Sequence, residues 1–347
     1  MPSNLGFEAL EITRSIYHNT PPPKIPIENV KALSDILAKN RIHVAAHKYL
    51  SSMKGEMRNQ GLLNELGPMV EKDKILARYR DKMVERAVSV LDGHNISYAI
   101  FKTYCPSGYV GVDSDFIVPL EDLPKTITFL LNSGFYLIDD TRKKYATGLI
   151  IKGNPIILDL HTDLTVAGVS YLKPELIFKY TVEKSINLGD RKLTIHTPDD
   201  MLEAIIRVLH SLVKEAELKL SDIYDSLMLF QKYSLTDTRA VFSEIGLSRE
   251  LVSVGLKIDA LALDDSHVLE KMGKTNTSRW ALIERKASEK MLEGDFPIKL
   301  GTNTHLQILA NLARSSQDSR KYLLLIGNIL SRKSTLKYSV KKVLGGI

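Results

Sequence analysis

The 347-residue sequence has little of what marks secreted and membrane proteins. It contains one cysteine, Cys105, so no disulfide can form within the chain, and we expect a small apolar residue there. No apolar run reaches the roughly 18 residues that suggest a membrane span, and the N-terminus, MPSNLGFEAL, has no basic stretch followed by an apolar one. These absences predict a cytoplasmic protein without a membrane-spanning segment or a secretory signal.

Basic charge is concentrated at the C-terminal end. The net formal charge is +6, and residues 301–347 carry eight lysines and arginines against the single acid Asp318. Such a cluster is typical of a surface that contacts nucleic acid or another acidic partner. It is also consistent with a solvated basic helix face, and the sequence leaves both interpretations open.

Apolar spacing divides the chain into four parts. Residues 1–27 form an N-terminal segment that ends in a proline-rich connector, and the helical pattern is expected to start after it. Residues 28–93 carry apolar side chains at helical spacing, residues 94–197 carry short apolar runs separated by turn residues, and residues 198–347 return to the helical period. The pattern predicts an α+β fold, with a sheet-containing core preceded and followed by helical regions.

Six short runs of the core are predicted strands: 97–101, 115–118, 135–139, 146–151, 155–161 and 192–196. A helix is predicted between the second and third strands, ending at Gly134, and a hairpin at Gly153–Asn154. Thr197, followed by Pro198, is the predicted N-cap of the first C-terminal helix.

Acidic residues interrupt two of these strands. Asp113 and Asp115 stand two positions apart at the start of one apolar strand, and Asp159 and His161 are placed in the same way in another. Because strand residues alternate between faces, each pair lies on one face. An ionised carboxylate in an apolar strand is costly unless it is compensated. If the two strands are neighbours, three carboxylates converge.

Converging carboxylates suit Mg²⁺ or Mn²⁺, and paired divalent ions serve nucleotidyl transfer by activating the attacking oxygen and stabilising the leaving one. In this interpretation Asp113 and Asp115 bind both ions, and Asp159 completes the site of the ion that activates the acceptor hydroxyl. Lys102, at the end of the first strand, would face the triphosphate of the NTP substrate. An Asp-x-Asp triplet alone also occurs in ordinary turns, and it is the acid in the second strand that favours metal binding.

The order of these motifs resembles that of a known family. A strand ending in IFK, then DSDFIV, GFYLID and IILDLH, is similar to the uncharacterised nucleotidyltransferase family of the polymerase-β-like superfamily. Its members typically read LLKG, a D-x-D strand, G-(Y/F) and a strand that ends in acid-x-histidine. The similarity continues into TPDDMLEAIIRVLH and LKLSDIYDSLML, and it covers roughly residues 28–232. It implies a polymerase-β-like nucleotidyltransferase core with a mixed β-sheet.

The resemblance also implies roles for individual residues. The implied metal-binding and catalytic acids are Asp113, Asp115 and Asp159. The implied supporting residues are His161, beside the acids, and Asp222 and Asp225, near the site or the domain junction. Acids spaced like the last two also occur on ordinary exposed helix faces.

The loop after the first strand departs from the family pattern. The superfamily places Gly followed by Gly or Ser there, so that the backbone can approach the triphosphate. Here Lys-Thr-Tyr follows the strand, and a Ser-Gly pair comes later. The nucleotide-binding candidates are therefore Lys102, Thr103, Ser107 and Gly108. Either this loop cradles phosphates differently, or nucleotide binding is weakened or lost.

Three functions are open at this point. The first is Mg²⁺-dependent transfer of NMP from an NTP to a hydroxyl of RNA, protein or a small molecule, with a toxin-like role suggested by the resemblance of the DIYD helix to toxin-type nucleotidyltransferases of abortive-infection systems. The second is a catalytically degenerate scaffold that binds nucleic acid or a protein partner through residues 301–347. The third is a metal-dependent glycosyltransferase, against which the helical pattern of residues 28–92 counts.

Overall fold

A computed structural model describes residues 4–53, 59–138, 146–166, 169–188, 191–245, 249–272 and 280–301, together with 304, 305, 307–309 and 312. Within these residues a mixed β-sheet is preceded and followed by helices, which confirms the α+β class. Most of the basic segment 301–347, for which the sequence left open both nucleic-acid contact and a solvated helix face, lies outside the described residues.

Four helices precede the sheet: α1 (Leu5–His18), α2 (Val30–Lys39), α3 (His43–Ser52) and α4 (Gln60–Gly93). The last three confirm the helical prediction for residues 28–93. Because α4 is continuous up to the first strand, no alternation of strands and helices comes before the Asp-x-Asp motif in the described residues.

The central sheet contains β1 (Ala99–Phe101), β2 (Asp113–Ile117), β3 (Phe135–Leu137), β4 (Ala146–Ile151) and β5 (Ile157–His161). Its order is β1-β2-β5-β4-β3, with β2 and β5 parallel and the other neighbours antiparallel. Helix α5 (Leu123–Asn132) connects β2 to β3, as predicted. The hairpin predicted between β4 and β5 is confirmed, and Gly153 takes a φ of 78° there, which favours glycine.

Two hairpins follow the sheet: β6 (Leu164–Val166) with β7 (Val169–Leu172), and β8 (Thr181–Leu188) with β9 (Arg191–Pro198). Helix α6 (Pro174–Lys179) lies between them. Strand β9 confirms the last predicted strand, whereas β6 to β8 were not predicted. Strand β8 is polar and mostly exposed, so it shows no apolar run.

The described residues after 198 are mainly helical, as predicted: α7 (Asp200–Leu209), a π-helical turn (His210–Glu215), α8 (Leu220–Phe230), α9 (Leu235–Glu244), α10 (Arg249–Leu263), α11 (Ser266–Met272) and α12 (Ala281–Leu292). Two short strands, β10 (Glu217–Leu218) and β11 (Ile298–Lys299), pair within it. In the part of the chain that the structure describes, no helix combines the length and the apolar character of a membrane span.

Two details of the helical prediction were wrong. Helix α1 comes before the proline-rich stretch, although helices were expected only after it. It packs against α8 and α10, so its apolar face is buried by segments far along the chain. The N-cap of α7 is Asp199 rather than Thr197, because β9 continues through Pro198. The carboxylate of Asp199 accepts a hydrogen bond from the Leu202 N–H at 2.8 Å.

Two apolar cores lie on opposite faces of the sheet. One fills the space between the sheet and helices α4 and α5, and it contains Phe116 and Leu158. The other joins α1 to α3 with the C-terminal helices, and it reaches the sheet through Phe101 and Ile117. Because residues alternate along β2, Asp115 shares the face of Ile117. The acids therefore lie on the face of the sheet that is turned toward the C-terminal helices.

Candidate metal centre

Asp115 and Asp159 occupy opposed positions on the two parallel strands. The register of β2 and β5 pairs Asp115 with Asp159, and Ile117 with His161. Opposed residues of neighbouring strands point to the same face, so both carboxylates and the imidazole lie on one side of the sheet. The prediction that the two acid-bearing strands are neighbours is confirmed.

The imidazole of His161 joins the two carboxylates. Its Nε2 lies 3.0 Å from Oδ1 of Asp115 and 3.2 Å from Oδ2 of Asp159. One ligand atom from each of the three residues lies within 4.8 Å of the other two. The side chains of His161 and Asp115 are each 8% exposed, whereas that of Asp159 is 26% exposed. The cluster is thus enclosed on the Asp115 side and open to solvent at Asp159.

Lys102 contacts the same cluster from the end of β1. Its Nζ lies 3.0 Å from Oδ2 of Asp115, so each oxygen of that carboxylate has its own partner. The backbone of Lys102 is left-handed, with a φ of 55°, and its N–H donates to Oε1 of Glu203 at 2.8 Å. The structure therefore brings Lys102 to the acids, and its contact with a triphosphate stays a prediction.

The charges of the cluster stabilise one another. Burial acts to raise the pKa of Asp115, but Lys102 and His161 outweigh it and hold that pKa well below its ordinary value. Burial also opposes ionisation of Asp159, whose pKa is nevertheless lowered by the hydrogen bond from His161. Burial acts to lower the pKa of His161, and the two carboxylates raise it above its ordinary value. All three shifts favour the charged form of the group, so the carboxylates are stabilised by the positive charge of Lys102 and by the imidazole of His161.

Asp113 lies at the edge of this cluster. It is the exposed first residue of β2, and it is not among the residues whose ligand atoms converge. Desolvation of its carboxyl by the surrounding protein, followed by the charge of Asp115, raises the pKa of Asp113. The two acids of the Asp-x-Asp motif are therefore not equivalent: Asp115 is inside the cluster and Asp113 is at its mouth.

A buried chain of charges holds the loop that follows β1. The carboxylate of Asp225 accepts from the Ser107 N–H at 2.6 Å and from the Ser107 hydroxyl at 3.1 Å. Arg207 lies 3.3 Å from Asp225 and 2.8 Å from Glu203, which itself accepts from Lys102 N–H. Burial raises the pKa of Asp225 to about 6. Asp225 therefore ties the loop to the C-terminal helices, and its implied role in the function stays a prediction.

The other nucleotide-binding candidates of this loop have structural contacts. The hydroxyl of Thr103 donates to the carbonyl of Phe101 at 3.1 Å. Gly108 has a φ of 74°, and a Cβ added there would lie 2.9 Å from Val44 on α3. Glycine is thus required for a close approach between the loop and a helix, and binding of a nucleotide by these residues stays a prediction.

Asp222, the first acid of the DIYD helix, serves as a helix cap. Its Oδ2 accepts from the Lys219 N–H at 3.3 Å at the start of α8. This contact is local to the helix, so it gives Asp222 a structural role whether or not the cluster binds metal.

Sequence reasoning missed three residues around the cluster, Glu203, Arg207 and Lys214, whereas it interpreted His210 as a packing residue rather than a ligand. A glutamate and an arginine four positions apart on the otherwise apolar face of α7 were the available signal for the first two. Lys214 acts electrostatically on all three acids, and its position depends on the π-helical turn, which no sequence spacing indicated. Burial, followed by Lys102 and Lys214, holds the pKa of His210 well below its ordinary value.

The donor set at the cluster fits a divalent cation. Two carboxylate oxygens and one imidazole nitrogen converge, and the more exposed Asp159 leaves a side open for water or a substrate.

A scan against family models, a search of curated proteins and a search of solved structures each found no match. The interpretation of the site therefore depends on its own geometry.

Proposed function

We propose that the protein is a divalent-cation-dependent nucleotidyltransferase of polymerase-β-like type. It would move NMP from an NTP to a hydroxyl of RNA, protein or a small molecule. The observation that carries the proposal is the register of β2 and β5, which sets Asp115 opposite Asp159, with Asp113 two residues earlier on the same face. The order of the sequence motifs gives this arrangement its chemical interpretation.

Each acid of the cluster would have its own role in the transfer. When bound, the cation would activate the acceptor oxygen and stabilise the charge on the phosphates. Asp115 and Asp159 would hold it, and Asp113 at the mouth would extend the site toward the triphosphate. Asp159, the more exposed of the converging acids, would also accept the proton of the hydroxyl.

Two lysines reduce the electrostatic repulsion that an anionic substrate would meet. Lys102 pairs with Asp115, and Lys214 acts on Asp113, Asp115 and Asp159. A triphosphate approaching three carboxylates would be repelled, and positive charge beside them offsets that repulsion. The arrangement of both lysines is therefore consistent with an anionic substrate.

The loop after β1 favours a second candidate, a catalytically degenerate scaffold that binds nucleic acid or a protein partner. The N–H of Lys102 is donated to Glu203 and that of Ser107 to Asp225. Two backbone donors of the loop are therefore already used by carboxylates, although backbone donors are what a phosphate cradle provides. In this case the partner would be bound by residues 301–347.

Label transfer tests the proposed function directly. The full chain would be incubated with each labelled NTP, with Mg²⁺ or Mn²⁺, and with cell extract. We expect a labelled product from the unaltered protein and none from Asp159→Asn. Glu183→Gln, at an exposed acid on β8 away from the cluster, is the matched control and should keep the transfer.

Two results would remove the proposal. One is NTP binding in the presence of Mg²⁺ that survives combined Asp113→Ala and Asp115→Ala substitution, as measured by isothermal titration. The other is the absence of label transfer from all four NTPs, together with salt-dependent nucleic-acid binding that is lost when residues 301–347 are deleted. The second result would support the degenerate scaffold.

A further inference from the structure

One nitrogen of His161 is aimed at the point where the two carboxylates meet. Nε2 lies 3.0 Å from Oδ1 of Asp115 and 3.2 Å from Oδ2 of Asp159. The ring is nearly enclosed, and the ring of Phe101 packs beside it with centroids 5.5 Å apart. A cation bound between Nε2 and the two carboxylate oxygens would occupy the place of a proton that these three atoms share.

Asp115 is oriented toward that point by Lys102. Since Lys102 binds Oδ2 at 3.0 Å, Oδ1 is the oxygen turned to His161. A fixed orientation of a carboxylate by a neighbouring charge is characteristic of metal ligands. The three converging atoms are therefore two oxygens and one nitrogen, and Asp113 is not among them.

This composition of ligands discriminates between cations. Mg²⁺ takes oxygen ligands and keeps much of its water shell, whereas imidazole suits first-row transition metals and Zn²⁺. We propose that His161 is a direct metal ligand, and that Asp115, Asp159 and His161 form a mixed-ligand site that selects Mn²⁺ or Zn²⁺ over Mg²⁺. The inference rests on the metal site of the proposed function and not on its transfer chemistry.

Binding of a cation would reverse the local charge. Two carboxylates beside Lys102 leave the mixed-ligand site net negative when the imidazole is neutral, and a divalent ion makes it net positive. A positive site with one open side attracts an anionic ligand such as a phosphate group. The loaded site would therefore attract an anionic substrate more strongly than the cluster does without a cation.

Metal titration of the full chain tests the selectivity. Metal-free protein would be titrated with Mn²⁺ while the electron paramagnetic resonance signal of the free ion is followed, and Zn²⁺ and Mg²⁺ would be added as competitors. We expect Zn²⁺ to displace Mn²⁺ readily, and Mg²⁺ to do so only at concentrations at least about tenfold higher. Equal competition by Mg²⁺, or no binding of Mn²⁺, would overturn the inference.

Pulsed resonance of the bound Mn²⁺ tests the ligand itself. We expect a nitrogen hyperfine coupling in the unaltered protein, and its loss in His161→Gln together with at least a tenfold or so weaker affinity. His210→Gln is the matched control, because this partly buried histidine lies near Lys102 and Lys214 but outside the converging group, and the nitrogen coupling should persist in this variant. Isotopic labelling of histidine in the unaltered protein decides the same point if His161→Gln does not fold.

The outcomes separate the two proposals. A bound Mn²⁺ without nitrogen coupling, or a coupling that survives His161→Gln, would show that His161 only supports the acids. A nitrogen coupling without label transfer supports the mixed-ligand site and removes the nucleotidyltransferase function. Label transfer with Mg²⁺ and no nitrogen coupling supports the nucleotidyltransferase function and removes the mixed-ligand site.

Discussion

Replacement of Arg207 by methionine should destabilise the protein strongly. The arginine side chain is 6% exposed and lies 2.8 Å from Glu203 and 3.3 Å from Asp225, which are both buried. Methionine fills a similar space but leaves two buried carboxylates without their cation. Removal of one partner from a buried ion pair costs about 3–5 kcal/mol. We therefore expect the free energy of unfolding of Arg207→Met to fall by an amount of that size near neutral pH.

The loss should depend on pH in one direction. Burial raises the pKa of Asp225 to about 6, compared with about 4 for an aspartate in an unfolded chain. Between these values the folded state binds more protons than the unfolded state, so stability decreases as pH rises. Without Arg207 the pKa of Asp225 in the folded state rises further. The pH range over which stability decreases therefore extends to higher pH. The deficit of Arg207→Met should therefore be smallest below about pH 6, where Asp225 is protonated in both folded proteins, and should grow as pH rises above that value.

Urea unfolding, followed by circular dichroism across a series of buffers, measures both effects. Arg191→Met is the matched control, because Arg191 pairs with Glu85 at 2.9 Å while the two side chains are 73% and 35% exposed. An exposed pair contributes less than about 1 kcal/mol, and we expect little dependence on pH. If Arg207→Met lost no more stability than this control, or lost the same amount at every pH, the reasoning about the buried charges would be refuted.

Three further substitutions test individual contacts. Gly255→Ala should cost about 1–3 kcal/mol by overpacking, because a Cβ there would lie 2.2 Å from Cγ1 of Val208; an unchanged Tm would contradict this. Gly108→Ala should lower the free energy of unfolding by at least about 1–2 kcal/mol, since φ is 74°, and equal stability in urea would show that the loop relaxes. Asp199→Ala should lower the free energy of unfolding by about 1 kcal/mol through the lost N-cap of α7. An equally large loss in Thr197→Ala would show that Thr197 is the N-cap after all.

Local pattern was sufficient for most of the secondary structure. Helix α4 and the strands of the central sheet were predictable because a buried helix face and a buried strand each repeat apolar residues at their own period. Strand β8 was not predictable in this way, because its apolar residues Val182, Ile186 and Leu188 are separated by polar ones and most of the strand is exposed. Helix α1 was missed although its own sequence carries the signal: Asn4 caps it, and Ala9, Leu10 and Ile12 lie on its buried side.

The sequence by itself determined that Asp113 and Asp115 share a face, and that Asp159 and His161 do, since alternation along a strand is a local property of the backbone. Only the tertiary structure decided that β2 and β5 are parallel neighbours in a register that sets Asp115 opposite Asp159. Sheet order and register depend on which distant apolar faces are buried together, and the local spacing of apolar residues in the sequence does not reveal this. For the same reason, the partner of Lys102 and the position of His161 between two carboxylates were visible only in the folded chain.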